Sequence, residues 1–242
     1  MKRRVWAAAA VALGAALAVL PAVPASASNI YWTGYVLVGH TEGFRQVTGD
    51  VKVPTVTCTS SGSKASFWIG LDGYGSAGST VEQVGVSTDC HNGVPSYEAW
   101  WEMAPNTTNY VFPVNPGDSI SMLVKYIGGA WQLAITDLTH DDNAHKFNHP
   151  ENCASGKVCE NMTAEAILEA DKGTDLSKFT STGFTEVQAV DSSYATTGLV
   201  ANGSVWGLAK IQMTGSNGQD LANLGTITNN GENFALSYRE AS

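Results

Sequence analysis

Short segments in which apolar and polar residues alternate run through this chain from residue 30 onward. Alternation with a period of two predicts β-strands, because successive side chains of a strand point to opposite faces. Gly, Asn, Asp, Ser and Pro separate the segments, as expected for turns. We predict strands over residues 30–39, 44–56, 64–71, 80–86, 97–103, 119–127, 130–139, 163–170, 184–190, 204–213, 224–229 and 233–239.

The number of short strands indicates the fold class. Long amphipathic helices are missing from the pattern, and only residues 163–170 also have the composition of a helical turn. Many short alternating strands are typical of an all-β domain, either a β-sandwich or a barrel. The pattern contains no repeat, low-complexity linker or domain boundary, so we expect one domain over residues 28–242.

The first residues have the features of an export signal. Three basic residues precede an apolar, alanine-rich run over residues 5–20, and Ala-Ser-Ala follows at 25–27. This order predicts a signal peptide over residues 1–27 that is removed during secretion. Pro21 and Pro24 interrupt the run before it comfortably spans a bilayer, and no later segment is apolar enough to do so. We therefore expect a secreted protein without a membrane partner.

The charge of the chain limits its partners. The formal net charge is -9 from 13 Lys and Arg against 22 Asp and Glu, and loss of three signal-peptide cations gives -12. Binding to nucleic acid requires Lys and Arg to displace counterions, so we expect no nucleic-acid partner. Protonation of carboxylates would reduce this net charge, which weakens acid unfolding by charge repulsion.

Four cysteines in an exported chain favour two disulfides. Cys58, Cys90, Cys153 and Cys159 allow three pairings. Cys153 and Cys159 can close a small loop, in which case Cys58–Cys90 would bracket the segment between them. Zinc binding is the competing interpretation, but no pair has C-x-x-C spacing and the compartment is oxidising. We expect no metal ion and no other cofactor.

Two pairs of glutamates are candidates for acid–base chemistry. Glu165 and Glu169 are four residues apart, as are Glu98 and Glu102. On a strand, members of such a pair share a face but lie roughly 13 Å apart, which exceeds either carboxylate separation of a glycosidase. Glu169 differs from the others because Ile167, Leu168 and Ala170 surround it. Partial burial would raise its pKa and suit it to a general acid or base.

The segment over residues 67–90 combines an apolar strand, a Gly- and Ser-rich loop and a second, alternating strand. This arrangement predicts that Trp68, Asp72 and Gln83 lie close together. A glutamine amide does not titrate, so a catalytic Gln83 would act by hydrogen bonding and polarisation while a partner handles the protons.

Other chemistry has weaker support. The chain lacks a G-x-S-x-G motif. The tract over residues 140–149 carries three histidines beside Asp141 and Asp142, which suggests either a metal site or, more simply, a hairpin with histidines at its ends. Six tryptophans lie beyond the signal segment. They fit a groove for a sugar or peptide, or a filled core.

Four blocks in order resemble the glutamic peptidases, also called eqolisins. They are NIYWTGYVLVG with VTGDVKVPTV, FWIGLDG followed by EQVG, SYEAWWEMAP, and TAEAILEA. The resemblance implies a sandwich of two antiparallel sheets, of the concanavalin-like jelly-roll type. It also implies an acid-acting endopeptidase that cleaves proteins or peptides with a Gln/Glu pair.

The resemblance also implies roles for single residues. It assigns Gln83 and Glu169 to catalysis. It assigns the lining or support of the substrate cleft to Trp32, Trp68, Asp72 and Glu165.

The resemblance has local departures around the predicted base. Ala166 stands where the family usually has Trp, and Ser87 where fungal members carry Asp. Ala170 and Asp171 replace an acidic-aromatic continuation. The alternative hypothesis is a non-catalytic sandwich that binds carbohydrate or peptide. In either case we expect a monomer.

Overall fold

Almost all regular structure in this protein is β-strand. The computed structural model describes residues 31–75, 79–140, 142–171 and 175–240, and within these ranges it contains no α-helix. In chain order the strands are β1 (Trp32–Gly39), β2 (Phe44–Lys52), β3 (Val56–Thr57), β4 (Lys64–Leu71), β5 (Val81–His91), β6 (Val94–Ala104), β7 (Asn109–Pro113), β8 (Ser119–Ile127), β9 (Ala130–Asp137), β10 (Lys146–Glu151), β11 (Thr163–Glu169), β12 (Lys178–Phe179), β13 (Thr182–Asp191), β14 (Thr196–Thr197), β15 (Trp206–Ile211), β16 (Ala222–Leu224) and β17 (Phe234–Tyr238).

Two large antiparallel sheets form a sandwich. The first has the spatial order β15-β1-β11-β4-β5-β6-β7, and the second the order β10-β9-β8-β2-β13-β17-β16, with β14 beside β13. A small third sheet pairs β12 with β3. Strands β4 and β5 of the first sheet contact β8 of the second across the main core. The predicted all-β sandwich of two antiparallel sheets is therefore confirmed.

The two sheets bury their strands differently. β8 and β9 alternate between buried and half-exposed residues, so one face packs on the core and the other faces outward. β1, β4 and β11 are buried on both faces over most of their length. The face of the first sheet that points away from the main core carries a second apolar cluster: Trp32, Val36, Trp68, Trp100, Ile167, Ala209 and Ile211.

Residues 163–170, which have the composition of a helical turn, form a strand instead. β11 pairs with β1 on one side and with β4 on the other, and six of its seven residues are buried. Burial of both faces and two hydrogen-bonded neighbours outweigh the weak helix preference of Ala, Glu and Leu. This pairing positions Glu165 and Glu169 in the centre of the first sheet.

Other segments correct or confirm the predictions. The strand predicted over residues 224–229 is wrong for most of its length, because β16 ends at Leu224 and a 3₁₀ helix occupies Asn229–Gly231. The list of predicted strands omits β7, β10, β12 and β14, although the histidine tract suggested a hairpin. The hairpin predicted over residues 140–149 is confirmed: β10 pairs with β9, and a 3₁₀ helix lies between them over Asn143–His145. Asp141 lies outside the described residues.

Both disulfides that the sequence suggested are present. Cys58 bonds to Cys90, and Cys153 bonds to Cys159. The first bond joins the segment before β4 to the end of β5, so it holds together the ends of the two strands that carry Trp68 and Gln83. Loops of this length are expected to contribute about 3 kcal/mol or more when cross-linked.

The N-terminal segment lies outside the described residues. The signal peptide over 1–27 and the domain limits at 28 and 242 therefore stay predictions. In the described ranges, no helix is long and apolar enough to cross a membrane.

Candidate active site

Strand register brings the two predicted catalytic residues onto one face of the first sheet. Glu169 on β11 is the partner of Ser66 on β4, and Ser66 is the partner of Ser87 on β5. Gln83 lies four residues before Ser87 on the same strand. Because side chains alternate along a strand, Gln83, Ser87 and Glu169 point to the same side of the sheet.

These side chains line one pocket of about 250 Å³. The pocket opens on the face of the first sheet that is turned away from the main core. Its lining is mostly polar and comes from four strands and two adjoining loops: Lys64, Ser66, Gln83, Ser87, Trp100, Glu102, Thr108, Glu169 and Asp171. Gln83 and Glu169, 86 residues apart in the chain, thus share one small cavity.

Glu169 is held by tryptophan and is half-buried in the pocket. The Nε1 atom of Trp68 donates a hydrogen bond of 2.8 Å to Oε2 of Glu169. Burial raises the pKa of Glu169 to about 7, and the charges of Asp171 and Glu102 act in the same direction. Hydrogen bonds from Trp32 and Trp68 oppose this rise by stabilising the carboxylate. Glu169 therefore changes protonation near neutral pH.

Gln83 offers a hydrogen-bonding group to the same cavity. Its side chain is only 7% exposed, and its Oε1 atom has no hydrogen-bond partner among the described residues. The same holds for Oγ of Ser87 and Nε1 of Trp100. Buried polar atoms are normally paired, so unpaired ones around a cavity mark positions where substrate polar atoms or water bind.

The glycine at position 85, two residues after Gln83, has a steric reason. A Cβ atom on Gly85 would lie 2.6 Å from Cβ of Trp68 and 2.8 Å from the ring of Trp100. Glycine lets these two large side chains approach each other over β5. They support the cavity wall between Gln83 and Glu169.

Glu102 is a residue of the site that the sequence reasoning missed. It is the cross-strand partner of Gln83, and Thr108 donates a 2.5 Å hydrogen bond to its Oε2 atom. Burial raises its pKa. Along the sequence, Glu102 has only Glu98 of its own strand as a candidate partner. Pairing of β5 with β6 would have revealed it, because this pairing places Glu102 beside Gln83. Cross-strand neighbours lie closer together than residues four apart on one strand.

Asp72 and Glu165 are not among the residues that line the pocket. Both are fully buried. Asp72 has a positive φ of 64° and accepts hydrogen bonds of 2.8 Å from the backbone N–H groups of Asn161 and Met162. These contacts fix the chain just before β11. Asp72 and Glu165 thus lie where they support the site and do not touch a substrate in the pocket.

Trp32 and Trp68 lie beneath and beside the predicted base. Their rings meet edge to face with centroids 4.9 Å apart. Trp68 is completely buried and Trp32 is 9% exposed. Their apolar rings lower the local polarity around Glu169, while their N–H groups hold its carboxylate.

The histidine tract forms a different cluster. Ligand atoms of Asp118, Asp137 and His140 lie within 4.8 Å of one another. Asp137 accepts a 2.7 Å hydrogen bond from Nδ1 of His140, and His145 pairs instead with Asp142. The hydrogen bonds inside this cluster account for its geometry as a loop clasp at the end of β9.

Comparison with known proteins agrees with this fold. The sequence model of the peptidase A4 family matches residues 30–237. Aspergillopepsin-2 from Aspergillus niger is 29% identical over 185 residues, which cover 65% of this chain and 63% of that protein. The chain thus spans less than two thirds of the length of this curated relative.

Solved structures show the same architecture. Scytalido-glutamic peptidase with a peptide-based transition state analogue superposes with a TM-score of 0.70 at 22% identity, covering 87% of this chain and 99% of that one. SCP-B, an eqolisin-family peptidase in complex with the tripeptide Ala-Ile-His, gives a TM-score of 0.65 at 21% identity over the same shares. The family match extends over most of the sequence, and this chain therefore belongs to the peptidase A4 family.

Proposed function

We propose that this protein is an endopeptidase that hydrolyses peptide bonds with Gln83 and Glu169 as its catalytic pair. The observation that carries the proposal is the shared pocket, in which a partly buried carboxyl and an unpaired amide oxygen face the same small volume. Membership of the peptidase A4 family and the peptide-bound relatives support the same reaction.

The first step is the addition of water to the scissile carbonyl. The carboxylate of Glu169 removes a proton from water while the water oxygen bonds to the carbonyl carbon. The carbonyl π electrons move onto the carbonyl oxygen, which becomes an oxyanion. The Gln83 side-chain N–H donates a hydrogen bond to that oxyanion, and its Oε1 accepts one from the attacking water.

The second step breaks the peptide bond. Glu169, now protonated, transfers its proton to the nitrogen of the leaving amine. The C–N bond breaks as the tetrahedral intermediate collapses, which yields a carboxylic acid and an amine and returns Glu169 to its ionised form. The N–H of Trp68 stabilises that carboxylate and keeps it oriented.

The pKa of Glu169 sets the expected working range. A base is most effective when its pKa lies near the operating pH, because both its ionised fraction and its basicity then contribute. A pKa of about 7 therefore favours mildly acidic to neutral conditions. Because the base must be ionised, this value gives the acidic limb of activity a midpoint near pH 7, well above the limb expected for an unperturbed glutamate.

The proposal includes secretion and a protein substrate. The predicted signal peptide, the two disulfides and the acidic composition favour an exported enzyme that acts as a monomer. Its substrates are proteins or peptides whose backbone can enter the polar pocket.

Purified protein tests the proposal with casein and fluorogenic peptides between pH 2 and 8. Glu169→Gln and Gln83→Ala should each lower kcat by at least about 10²-fold, with unchanged folding by circular dichroism. Glu186→Gln, on the exposed part of β13, is the matched control. Full activity in both site variants would refute the pair. Glycan or peptide binding without cleavage at any pH would favour the non-catalytic alternative.

A further inference from the structure

Three charged side chains form a row at one end of the pocket. Lys64 begins β4, and its Nζ atom lies 2.8 Å from Asp171 and 3.4 Å from Asp89. Asp89 is the register partner of Lys64 on β5, whereas Asp171 follows the end of β11. The Lys64 side chain is only 16% exposed, so its ammonium group is largely enclosed by these acids.

The row is adjacent to the predicted base. Asp171 lies two residues after Glu169, and Lys64 lies two residues before Ser66, the cross-strand partner of Glu169. Lys64, Asp171 and Glu169 all line the pocket. Through this short path the charge of Asp171 raises the pKa of Glu169.

Lys64 is the cation of this pocket. Among the described residues that line it, Lys64 is the only Lys or Arg. Burial lowers the pKa of Lys64, but the hydrogen bond and charge of Asp171 outweigh burial and raise it above its usual value. The ammonium group is therefore charged at every pH at which the site can work.

Other ionisable groups face the same volume. Glu102 comes from β6, and its pKa is raised by burial and by Asp171 but lowered by Lys64. Tyr110 on β7 donates a 3.1 Å hydrogen bond to Asp89. With Glu169 and Asp171, the described residues of the pocket and its rim thus supply four carboxyls and a phenol against one ammonium group.

We propose that Lys64 is a positioning residue that keeps Glu169 available as a base at lower pH by offsetting the charge of Asp171. The inference rests on the proposed function of Glu169 and adds the residue that tunes it. Without Lys64, the uncompensated Asp171 carboxylate would favour the protonated form of Glu169. Without Asp171, the remaining ammonium group would favour the ionised form.

The test compares pH profiles of kcat/KM for five variants. Lys64→Met should move the acidic limb to higher pH by roughly half a unit to one unit, and Asp171→Asn should move it to lower pH by a similar amount. The double variant should lie between the two. Lys64→Arg, which retains the charge, should stay near the wild type. Lys178→Met removes a cation from an exposed ion pair with Glu240 and should shift nothing.

Carbon-13 NMR titration of the Glu169 carboxyl provides a second readout that does not depend on turnover. We expect the titration midpoint of Glu169 to move to higher pH in Lys64→Met and to lower pH in Asp171→Asn. A purely structural clasp would lower stability in both single variants without moving the midpoints in opposite directions, and that result would overturn the inference. An inactive wild type would instead refute the proposed function, while the NMR titration would still test the charge coupling.

Discussion

Two groups of carboxyls lie at opposite ends of β11, and they are built differently. The pocket group consists of Glu102, Glu169 and Asp171 beside the ammonium group of Lys64. The buried group consists of Asp72, Glu82 and Glu165. All three members of the buried group are 0% exposed. The difference between the groups is therefore access to water and to a cation.

The buried carboxyls are compatible with the folded state only while they are mostly protonated. Burial, followed by the charge of Asp72, raises the pKa of Glu82 to about 9. The same causes raise the pKa of Glu165 well above its usual value. Hydrogen bonds from Thr80 to Glu82 and from Thr163 to Glu165 favour the ionised forms, but burial outweighs them. Ionising either residue would place an uncompensated charge in an apolar interior.

Within one sheet, the carboxyls of the proposed catalytic pocket and the buried carboxyls are expected to titrate differently. The pocket group can gain and lose protons because solvent reaches it and Lys64 offsets one charge. The buried group gains protons on folding, since its folded pKa values exceed those of the unfolded chain. The acidic limb of the pH–activity profile should thus follow the protonation of Glu169. At alkaline pH, activity should be limited by unfolding as the buried carboxyls ionise.

The largest expected effect is a loss of stability with rising pH. For Glu82 the unfolded pKa is 4.5 and the folded value about 9, so its contribution is complete below pH 4.5 and is lost as the pH rises toward 9. At 1.36 kcal/mol per unit, the free energy of unfolding should fall by about 5 kcal/mol between pH 4.5 and 8. Glu165 adds a loss of the same sign.

Urea unfolding and Tm at half-unit pH steps measure this loss. A total stability of about 5–15 kcal/mol makes the expected loss large enough to unfold the protein. A Tm that stays constant from pH 4.5 to 8 would contradict the role assigned to the buried group.

The next largest effect is a gain in stability at high pH when Glu82 is replaced by a residue that cannot ionise. Glu82→Gln keeps the shape of the side chain but cannot ionise. At pH 8 it should be more stable than the wild type by roughly 5 kcal/mol, and at pH 4 it should show no gain. Glu165→Gln should behave in the same way. The exposed Glu186→Gln is the control, and an equal gain in that variant would show that net charge, rather than burial, governs the pH dependence.

A smaller effect is expected for the tryptophan that holds the base. Trp68→Phe removes the N–H donor to Glu169 while retaining most of the ring. Loss of a hydrogen bond to a charged group costs about 1.5–3 kcal/mol. We therefore expect kcat to fall by about tenfold or more and the acidic limb to move to higher pH. Trp101→Phe, which stacks on Phe147 away from Glu169, is the matched control.

Activity and stability must be measured together for Trp68→Phe, because the indole is completely buried. A lower Tm with an unchanged acidic limb would assign Trp68 to packing alone.

Much of the fold was predictable because the order of apolar and polar residues along the chain follows the burial of each strand. β8 and β9 alternate as half-buried strands should, and the apolar run of β4 predicted a strand, which is buried over most of its length. β10 was missed because KFNHPE is mostly polar and contains Pro150. Its strand state depends on pairing with β9, which sequence periodicity does not reveal.

The site was predictable only in part for a related reason. Gln83 and Glu169 followed from the resemblance to a family, whereas Lys64 and Glu102 enter the pocket through register with neighbouring strands. A register shift by one residue would turn each to the opposite face. Such neighbours are invisible along the chain, even when both strands are predicted correctly.

The smallest expected effect distinguishes the two acids that flank Lys64. Asp89 lies farther from the ammonium group than Asp171, at 3.4 Å against 2.8 Å, and it does not line the pocket. Asp89→Asn should therefore move the acidic limb of kcat/KM to lower pH by only about two tenths of a unit. A shift as large as that of Asp171→Asn would mean that the whole row, rather than its pocket-facing end, controls the protonation of Glu169.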